Sequence, residues 1–215
     1  MRLKTTLWLA GAVALAAAGP AQALDGITDR PGDFLSTFAG SASSSDLDVL
    51  AATVLYDPAA DLFRLSATFA GAVGTTAGGF YVWGVNRGAG TAGFAANGID
   101  GVRFDRVVLL RPDGSGTIPG VGDLAPGSVT VSGTTLSGVI PGAMLVSTGF
   151  AKLDYTWNLW PRDGAFSGFA AISDFAPDNA NFTASIGAVP EPATAVLLLS
   201  GAALVAGWRR RRAPG

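Results

Sequence analysis

The sequence has no cysteine and no histidine among its 215 residues, and only 14% of the residues are charged. Without cysteine the chain has no disulfide, no thiolate nucleophile and no thiolate-held metal. Without histidine it has no Ser-His-Asp triad, no imidazole base and no histidine-held metal. Because these absences remove the commonest catalytic arrangements, we expect no enzymatic activity, no catalytic residue, no cofactor and no resident metal.

Charge is unevenly distributed along the chain. The stretch from residue 24 to residue 192 holds all 16 acidic residues and 8 of the 14 basic ones, a net charge of −8. Such a stretch has no basic face for a phosphate backbone, so nucleic acid is not an expected partner. The remaining basic residues flank two apolar segments, which is a membrane pattern.

Residues 1–23 have the three parts of a secretory signal peptide. Arg2 and Lys4 precede an uncharged apolar run over residues 7–18, and Ala21 and Ala23 supply small side chains around a cleavage site. We therefore expect signal peptidase to cut after Ala23. The alternative, a permanent N-terminal anchor, would need about 20 apolar residues.

A second apolar segment covers residues 193–208 and contains no charge. As a helix it would span about 24 Å, slightly less than a hydrocarbon core of about 30 Å. We predict a transmembrane helix here, followed by a cytoplasmic stop of four consecutive arginines: Arg209, Arg210, Arg211 and Arg212. Pro190 and Pro192 precede the helix and hold Glu191, the only glutamate, in a stiff extended segment.

Val189, Pro190, Glu191 and Pro192, followed by the apolar helix and the arginines, closely resemble the PEP-CTERM sorting signal of Gram-negative bacteria. The resemblance implies that residues 190–215 are a substrate of exosortase, a membrane-embedded transpeptidase thought to cleave near the Pro-Glu-Pro motif. It also implies an inner-membrane anchored precursor, then attachment or release at the cell envelope, outer surface or extracellular space. Exopolysaccharide is a partner implied by the same resemblance.

Residues 24–189 show the period-two alternation of β-strands. Polar and apolar side chains alternate over residues 62–69 and 153–160, and apolar runs typical of covered strands occupy residues 49–56, 80–85 and 107–110. Residues 128–132 and 136–140 form a predicted hairpin, and Arg111-Pro112-Asp113-Gly114 is a predicted turn. We therefore predict a single all-β domain, a β-sandwich or jelly roll of roughly eight to ten strands, between a signal-peptide helix and a transmembrane helix. Segments 79–88, 104–114 and 158–161 also resemble a recurring kind of PEP-CTERM protein body, which implies a shared fold only.

These patterns favour a non-enzymatic structural or interaction protein of the envelope or matrix. The alternatives are a carbohydrate- or calcium-binding module and, last, an aspartate-based hydrolase. Trp160 is the aromatic residue best placed for exposure to a sugar, while Lys152 is predicted to be a solvated strand end. For calcium, Asp25, Asp29 and Asp33 cluster in sequence and Asp46 and Asp48 are predicted to share one strand face, followed by Asp100, Asp105 and Asp113. No EF-hand loop is present, and aspartates also cap turns and solubilise surfaces.

Overall fold

The computed structural model describes residues 26–186. This range contains twelve strands: β1 (Ile27–Thr28), β2 (Val49–Asp57), β3 (Leu62–Phe69), β4 (Gly79–Asn86), β5 (Arg106–Leu110), β6 (Gly116–Ile118), β7 (Gly122–Asp123), β8 (Val129–Ser132), β9 (Thr135–Pro141), β10 (Thr156–Asp163), β11 (Phe182–Thr183) and β12 (Ser185–Ile186). Its helices are short 3₁₀ turns: Ser45–Leu47, Ala95–Asn97, Gly142–Met144, Lys152–Asp154 and Gly168–Ala171. The all-β prediction is confirmed.

The strand count exceeds the eight to ten predicted because β1, β7, β11 and β12 have two residues each. Two residues are too few to show an alternating pattern. The two predicted terminal helices, in residues 1–23 and 193–208, lie outside the described residues and stay predictions. Over residues 26–186, every helix is too short or too polar to cross a membrane.

The strands form two six-stranded sheets. The first has the order β1-β2-β3-β9-β8, with β12 also paired to β2, and the second has the order β11-β10-β4-β5-β6-β7. All pairings are antiparallel except that of β12 with β2. The predicted hairpin is confirmed, since Ser132 pairs with Thr135 across a two-residue turn. Gly133 in this turn has a φ of +58°, a left-handed conformation that favours glycine.

One apolar cluster joins inward-facing side chains of both sheets, as in a β-sandwich. Val54, Phe63 and Leu65 come from the first sheet, while Trp83 and Trp157 come from the second. All five are at most 1% exposed. The period-two alternation therefore predicted the core face of the central strands correctly.

A second apolar cluster covers the opposite face of the second sheet. Val82 of β4 and Trp160 of β10 lie directly opposite each other in the strand register. They pack with Val102, Ile172 and Phe175 from the connecting segments. Trp160 is 2% exposed, so the prediction that it is available to a sugar is wrong. Its predicted face was correct, but loops cover that face.

The strand predicted for residues 153–160 begins three residues late, at Thr156. Lys152–Asp154 form a 3₁₀ helix instead, and Leu153 is 37% exposed rather than inward-facing. Lys152 is not a solvated strand end. Its Nζ donates to Asp61 Oδ1 at 2.6 Å and Oδ2 at 2.8 Å, an ion pair that ties this turn to the β2–β3 hairpin.

Candidate functional site

Five aspartates from three segments of the chain meet near the start of β2. A carboxylate oxygen from each of Asp33, Asp48 and Asp174 lies within 4.8 Å of the other two. The same holds for a second group, in which Asp33 is joined by Asp29 and Asp178. Because the two groups share Asp33, we treat them as one unit, the aspartate cluster: Asp29, Asp33, Asp48, Asp174 and Asp178.

The segment that carries Asp29 and Asp33 runs beside the start of β2. The amide of Asp29 donates to Leu50 O at 2.8 Å, which continues the pairing of β1 with β2. The amide of Gly32 donates to the Asp48 carboxylate, at 2.9 Å to Oδ2 and 3.1 Å to Oδ1. Gly32 has a φ of +78°, and this left-handed turn brings its amide to Asp48. Backbone pairing and the turn thus place Asp33 beside Asp48.

The segment that carries Asp174 packs against the same region from a distant part of the sequence. The amide of Val49 donates to Asp174 Oδ2 at 3.0 Å, across 125 residues. Beside it, Ser173 Oγ donates to Leu47 O at 2.7 Å, and the amide of Leu35 donates to Ser173 O at 2.8 Å. These bonds hold Asp174 in place against β2.

Three oxygens of the cluster are buried without a hydrogen-bond partner among the described residues: Asp29 Oδ2, Asp33 Oδ1 and Asp174 Oδ1. Asp174 is the most enclosed of the three residues, with 1% of its surface exposed. Buried polar atoms are normally paired, because an unpaired one loses its hydration without compensation. The cluster therefore has unused acceptor capacity in its interior.

Burial also changes the acidity of these carboxyls. Desolvation, reinforced by neighbouring carboxylates, raises the pKa of Asp29 to about 6 and the pKa of Asp174 to about 8. Desolvation likewise raises the pKa of Asp33 and of Asp48. The charged forms repel one another and are poorly hydrated, so a proton or a cation in the cluster is favoured.

Protein cations do not neutralise the cluster through ion pairs. The two ion pairs within residues 26–186 join Arg87 to Asp105 and Lys152 to Asp61. Arg30 is close enough to lower the pKa of Asp33, but this effect is smaller than that of burial. The cluster keeps an excess of negative charge.

The sequence identified this cluster only in part. Asp29 and Asp33 belong to the group of aspartates that cluster in sequence, whereas Asp25 lies outside the described residues. Asp46 and Asp48 do not share a strand face, since they lie in and directly after the 3₁₀ helix that precedes β2. Asp46 turns to Thr76, accepting from its amide at 2.8 Å.

Asp100, Asp105 and Asp113 do not belong to the cluster. They accept hydrogen bonds from Asn179, Arg87 and Ser115, respectively. Asp113 accepts from the amide of Ser115 at 2.9 Å, in agreement with the predicted turn role. Sequence reasoning missed Asp174 and Asp178. No local signal marks them, because their partners lie more than a hundred residues away.

The distances between the carboxylates indicate whether the cluster is arranged for glycoside hydrolysis. Inverting glycoside hydrolysis uses carboxyls about 6.5–9.5 Å apart and retaining hydrolysis about 5–5.5 Å. In the aspartate cluster three carboxyls instead meet at one point, each with an oxygen within 4.8 Å of the other two. Two open surface depressions of about 380 and 540 Å³ are lined by other residues. The geometry suits a shared cation or proton better than two carboxyls flanking a glycosidic bond.

The predicted sorting and processing residues lie outside residues 26–186. They comprise the cleavage residues Ala21 and Ala23, the motif residues Val189, Pro190, Glu191 and Pro192, and the basic stop Arg209, Arg210, Arg211 and Arg212. Their roles are therefore argued from sequence.

Comparison with known proteins bears directly on the C-terminal motif. Residues 188–212 match the PEP-CTERM protein-sorting motif, and this range includes both Pro-Glu-Pro and the four arginines. No curated protein matches the chain. The resemblance drawn from the sequence is confirmed, and the chain is a protein that contains the PEP-CTERM protein-sorting motif.

Proposed function

We propose that this protein is exported, processed by exosortase, and then serves a structural or interaction role in the cell envelope or extracellular matrix, without catalysis. The match of residues 188–212 to the PEP-CTERM protein-sorting motif carries the proposal. The motif supports exosortase-dependent sorting of an exported protein. The envelope or matrix role is the finer part of the proposal.

Each part of the motif has a physical task in this proposal. Pro190 and Pro192 restrict the backbone to an extended form that a transpeptidase can bind, with Glu191 as the charged recognition group. Segment 193–208 holds the precursor in the membrane, and the arginines after it stay on the cytoplasmic side. Signal peptidase removes residues 1–23 during export.

The described domain supports a structural role through the way it uses its aromatic residues. The large rings of Trp83, Trp157 and Trp160 are all at most 2% exposed, and they pack the two apolar clusters. Such side chains stabilise a domain instead of offering stacking surfaces to sugars. A structural or binding component of a matrix needs this kind of well-packed, acidic domain.

Sorting can be tested by changing Glu191 to alanine in a host that has exosortase. We expect the variant to stay as an unprocessed, membrane-retained form, because the charged recognition group is lost. The measurement is the apparent size and membrane fractionation of the protein, followed by immunoblot. The matched control is Asp123→Ala, which removes an exposed carboxylate in β7 far from the motif in sequence.

The control should be processed like the unmodified chain, and the unmodified chain in a host without exosortase should behave like the Glu191 variant. Normal processing of Glu191→Ala would contradict the proposed motif role. Normal processing without exosortase would contradict the proposed route.

A further inference from the structure

We infer that the aspartate cluster is a binding site for Ca²⁺, which joins the segment of residues 29–33 to the segment of residues 174–178. This inference goes beyond sorting and does not depend on it. It rests on the spacing of the Asp33, Asp48 and Asp174 carboxylates and on cluster oxygens that are buried without a hydrogen-bond partner among the described residues.

The spacing of the carboxylates fits one shared ion. Calcium binds oxygen at about 2.3–2.6 Å, so two oxygens on the same ion lie at most about 5 Å apart. Oxygens of Asp33, Asp48 and Asp174 all meet this limit, since each lies within 4.8 Å of the others. Asp29 and Asp178 meet the same limit with Asp33 as a separate group, so they place further negative charge beside the ion.

Asp174 provides an independent sign that a ligand belongs here. The residue is 1% exposed, and one of its carboxylate oxygens, Oδ2, accepts a hydrogen bond from the amide of Val49. The other oxygen, Oδ1, has no partner among the described residues. A buried carboxylate that is fixed on one oxygen, unpaired on the other and close to two further carboxylates is suited to be a cation ligand.

The donor atoms decide which cation fits. The ligand set contains only carboxylate oxygens, and hard cations prefer such sets. Magnesium requires near-ideal octahedral geometry at about 2.0–2.1 Å and retains several waters. Asp48 and Asp174 are 5% and 1% exposed, which leaves little room for the waters that magnesium retains. Calcium accepts an irregular, carboxylate-rich ligand set. We therefore infer calcium.

The ion would take the place of a covalent cross-link. The chain has no cysteine, and the three segments of the cluster are far apart in sequence. An ion bound to all three holds the segment after β1 and the segment after the last 3₁₀ helix against the start of β2. Binding should therefore stabilise the folded state, because the unfolded chain does not assemble the site.

The test uses the purified full chain in detergent, stripped of metal by a chelator. Calorimetric titration with CaCl₂ should give a saturable signal with a Kd of about 1 mM or tighter. At ten times the Kd, thermal unfolding should shift upward by about 3–6 °C. The same concentration of MgCl₂ should produce a clearly smaller shift.

Two variants and a control locate the site. Asp33→Asn removes the carboxylate common to both groups and should weaken binding at least about tenfold. Asp178→Asn alters an exposed residue, so it should fold normally. It removes a negative charge next to Asp33 and should therefore still weaken binding several-fold. Asp123→Asn, an exposed carboxylate in β7 outside the cluster, should bind as the unmodified chain does.

The inference is overturned if no calcium binding occurs up to about 10 mM, a concentration above the range of weak extracellular sites. It is also overturned if Mg²⁺ stabilises as much as Ca²⁺, which would indicate general screening of an acidic domain. Unchanged calcium affinity in Asp178→Asn would also overturn the inference. This result can be obtained even if Asp33→Asn fails to fold. Sorting is measured by processing in cells, so failure of one proposal is distinguishable from failure of the other.

Discussion

Replacing Trp160 with alanine is expected to lower the free energy of unfolding by about 3–5 kcal/mol. The ring contacts Phe104, Phe94 and Phe175, with ring centroids 5.0, 5.2 and 5.9 Å away. Because Trp160 is 2% exposed, its removal leaves a cavity between the second sheet and the loops that cover it. Urea unfolding followed by far-UV circular dichroism measures the loss as a shift in midpoint.

Phe166→Ala is the matched control, because this ring is 39% exposed. It should cost less than about 1 kcal/mol. Equal costs for the two variants would contradict a packed second layer on this sheet.

Gly84 gives a second, independent probe of the same contact. A Cβ at Gly84 would overlap Cη2 and Cζ3 of Trp160, so the ring must move in Gly84→Ala. The alanine should therefore be destabilising by about 1–3 kcal/mol in the unmodified chain. In the Trp160→Ala background this cost should largely disappear, and a double-mutant cycle measures the difference. Simple additivity of the two changes would show that they do not share a contact.

Replacing Arg87 with methionine is expected to cost about 3–5 kcal/mol, because it leaves a largely buried carboxylate without its partner. Arg87 is 5% exposed, and its Nε donates to Asp105 Oδ1 at 2.8 Å. Its Nη1 donates to Val146 O at 2.8 Å, so the side chain also fastens the loop after β9. Asp105 accepts further bonds from Thr148 Oγ1 at 2.5 Å and from the amide of Ala89 at 3.1 Å.

The Arg87–Asp105 ion pair should make the stability of the domain fall at acidic pH. Burial raises the pKa of Asp105, but hydrogen bonds from Thr148, Arg87 and Ala89 outweigh it and hold the pKa below its ordinary value. The folded state therefore binds fewer protons than the unfolded state in this range. The pair's contribution is present above a pH of about 4 and is lost as the pH falls through the lowered pKa. In Arg87→Met the pKa of Asp105 rises, so the acid-dependent loss should shrink and the stability difference from the unmodified chain should narrow as the pH falls. Urea midpoints measured across the acidic range would show this narrowing.

Two further variants complete the test. Adding Asp105→Asn to Arg87→Met should recover part of the stability, because the unpaired charge is then removed. Lys152→Met breaks the ion pair with Asp61, whose side chains are 25% and 44% exposed, and should cost at most about 1 kcal/mol. If Arg87→Met were no more costly than Lys152→Met, burial would not govern the strength of these pairs.

The strands that the sequence predicted are those whose pattern is long enough to repeat. β3 begins and ends where its alternation predicted, and β2 and β4 differ by at most one residue at each end. The β8–β9 hairpin followed from a glycine that tolerates a left-handed turn. Local chemistry suffices for these elements, since each is specified within about ten residues.

The same local reasoning failed where distant segments determine the environment. Trp160 faces the side predicted for it, but its exposure depends on loops that fold over the sheet from residues 94–104 and 169–175. Asp46 and Asp48 are two residues apart, like side chains on one face of a strand. Asp46 lies in a 3₁₀ helix and Asp48 directly after it, so the two do not share a face. A two-residue spacing predicts a shared face only where the backbone is extended.

The sequence by itself determined the sorting motif, the all-β class and the core face of the central strands. The sorting motif is a contiguous tail, and the other two features follow from patterns along single strands. Covered strands were also predicted for β4 and β5, but only the tertiary structure decided which segments cover the second sheet and that five aspartates converge near β2. Asp174 reaches Val49 across 125 residues, and Ser173 reaches Leu47 across 126. Contacts over such separations depend on how the sheets and loops pack, and no pattern along the chain encodes them locally.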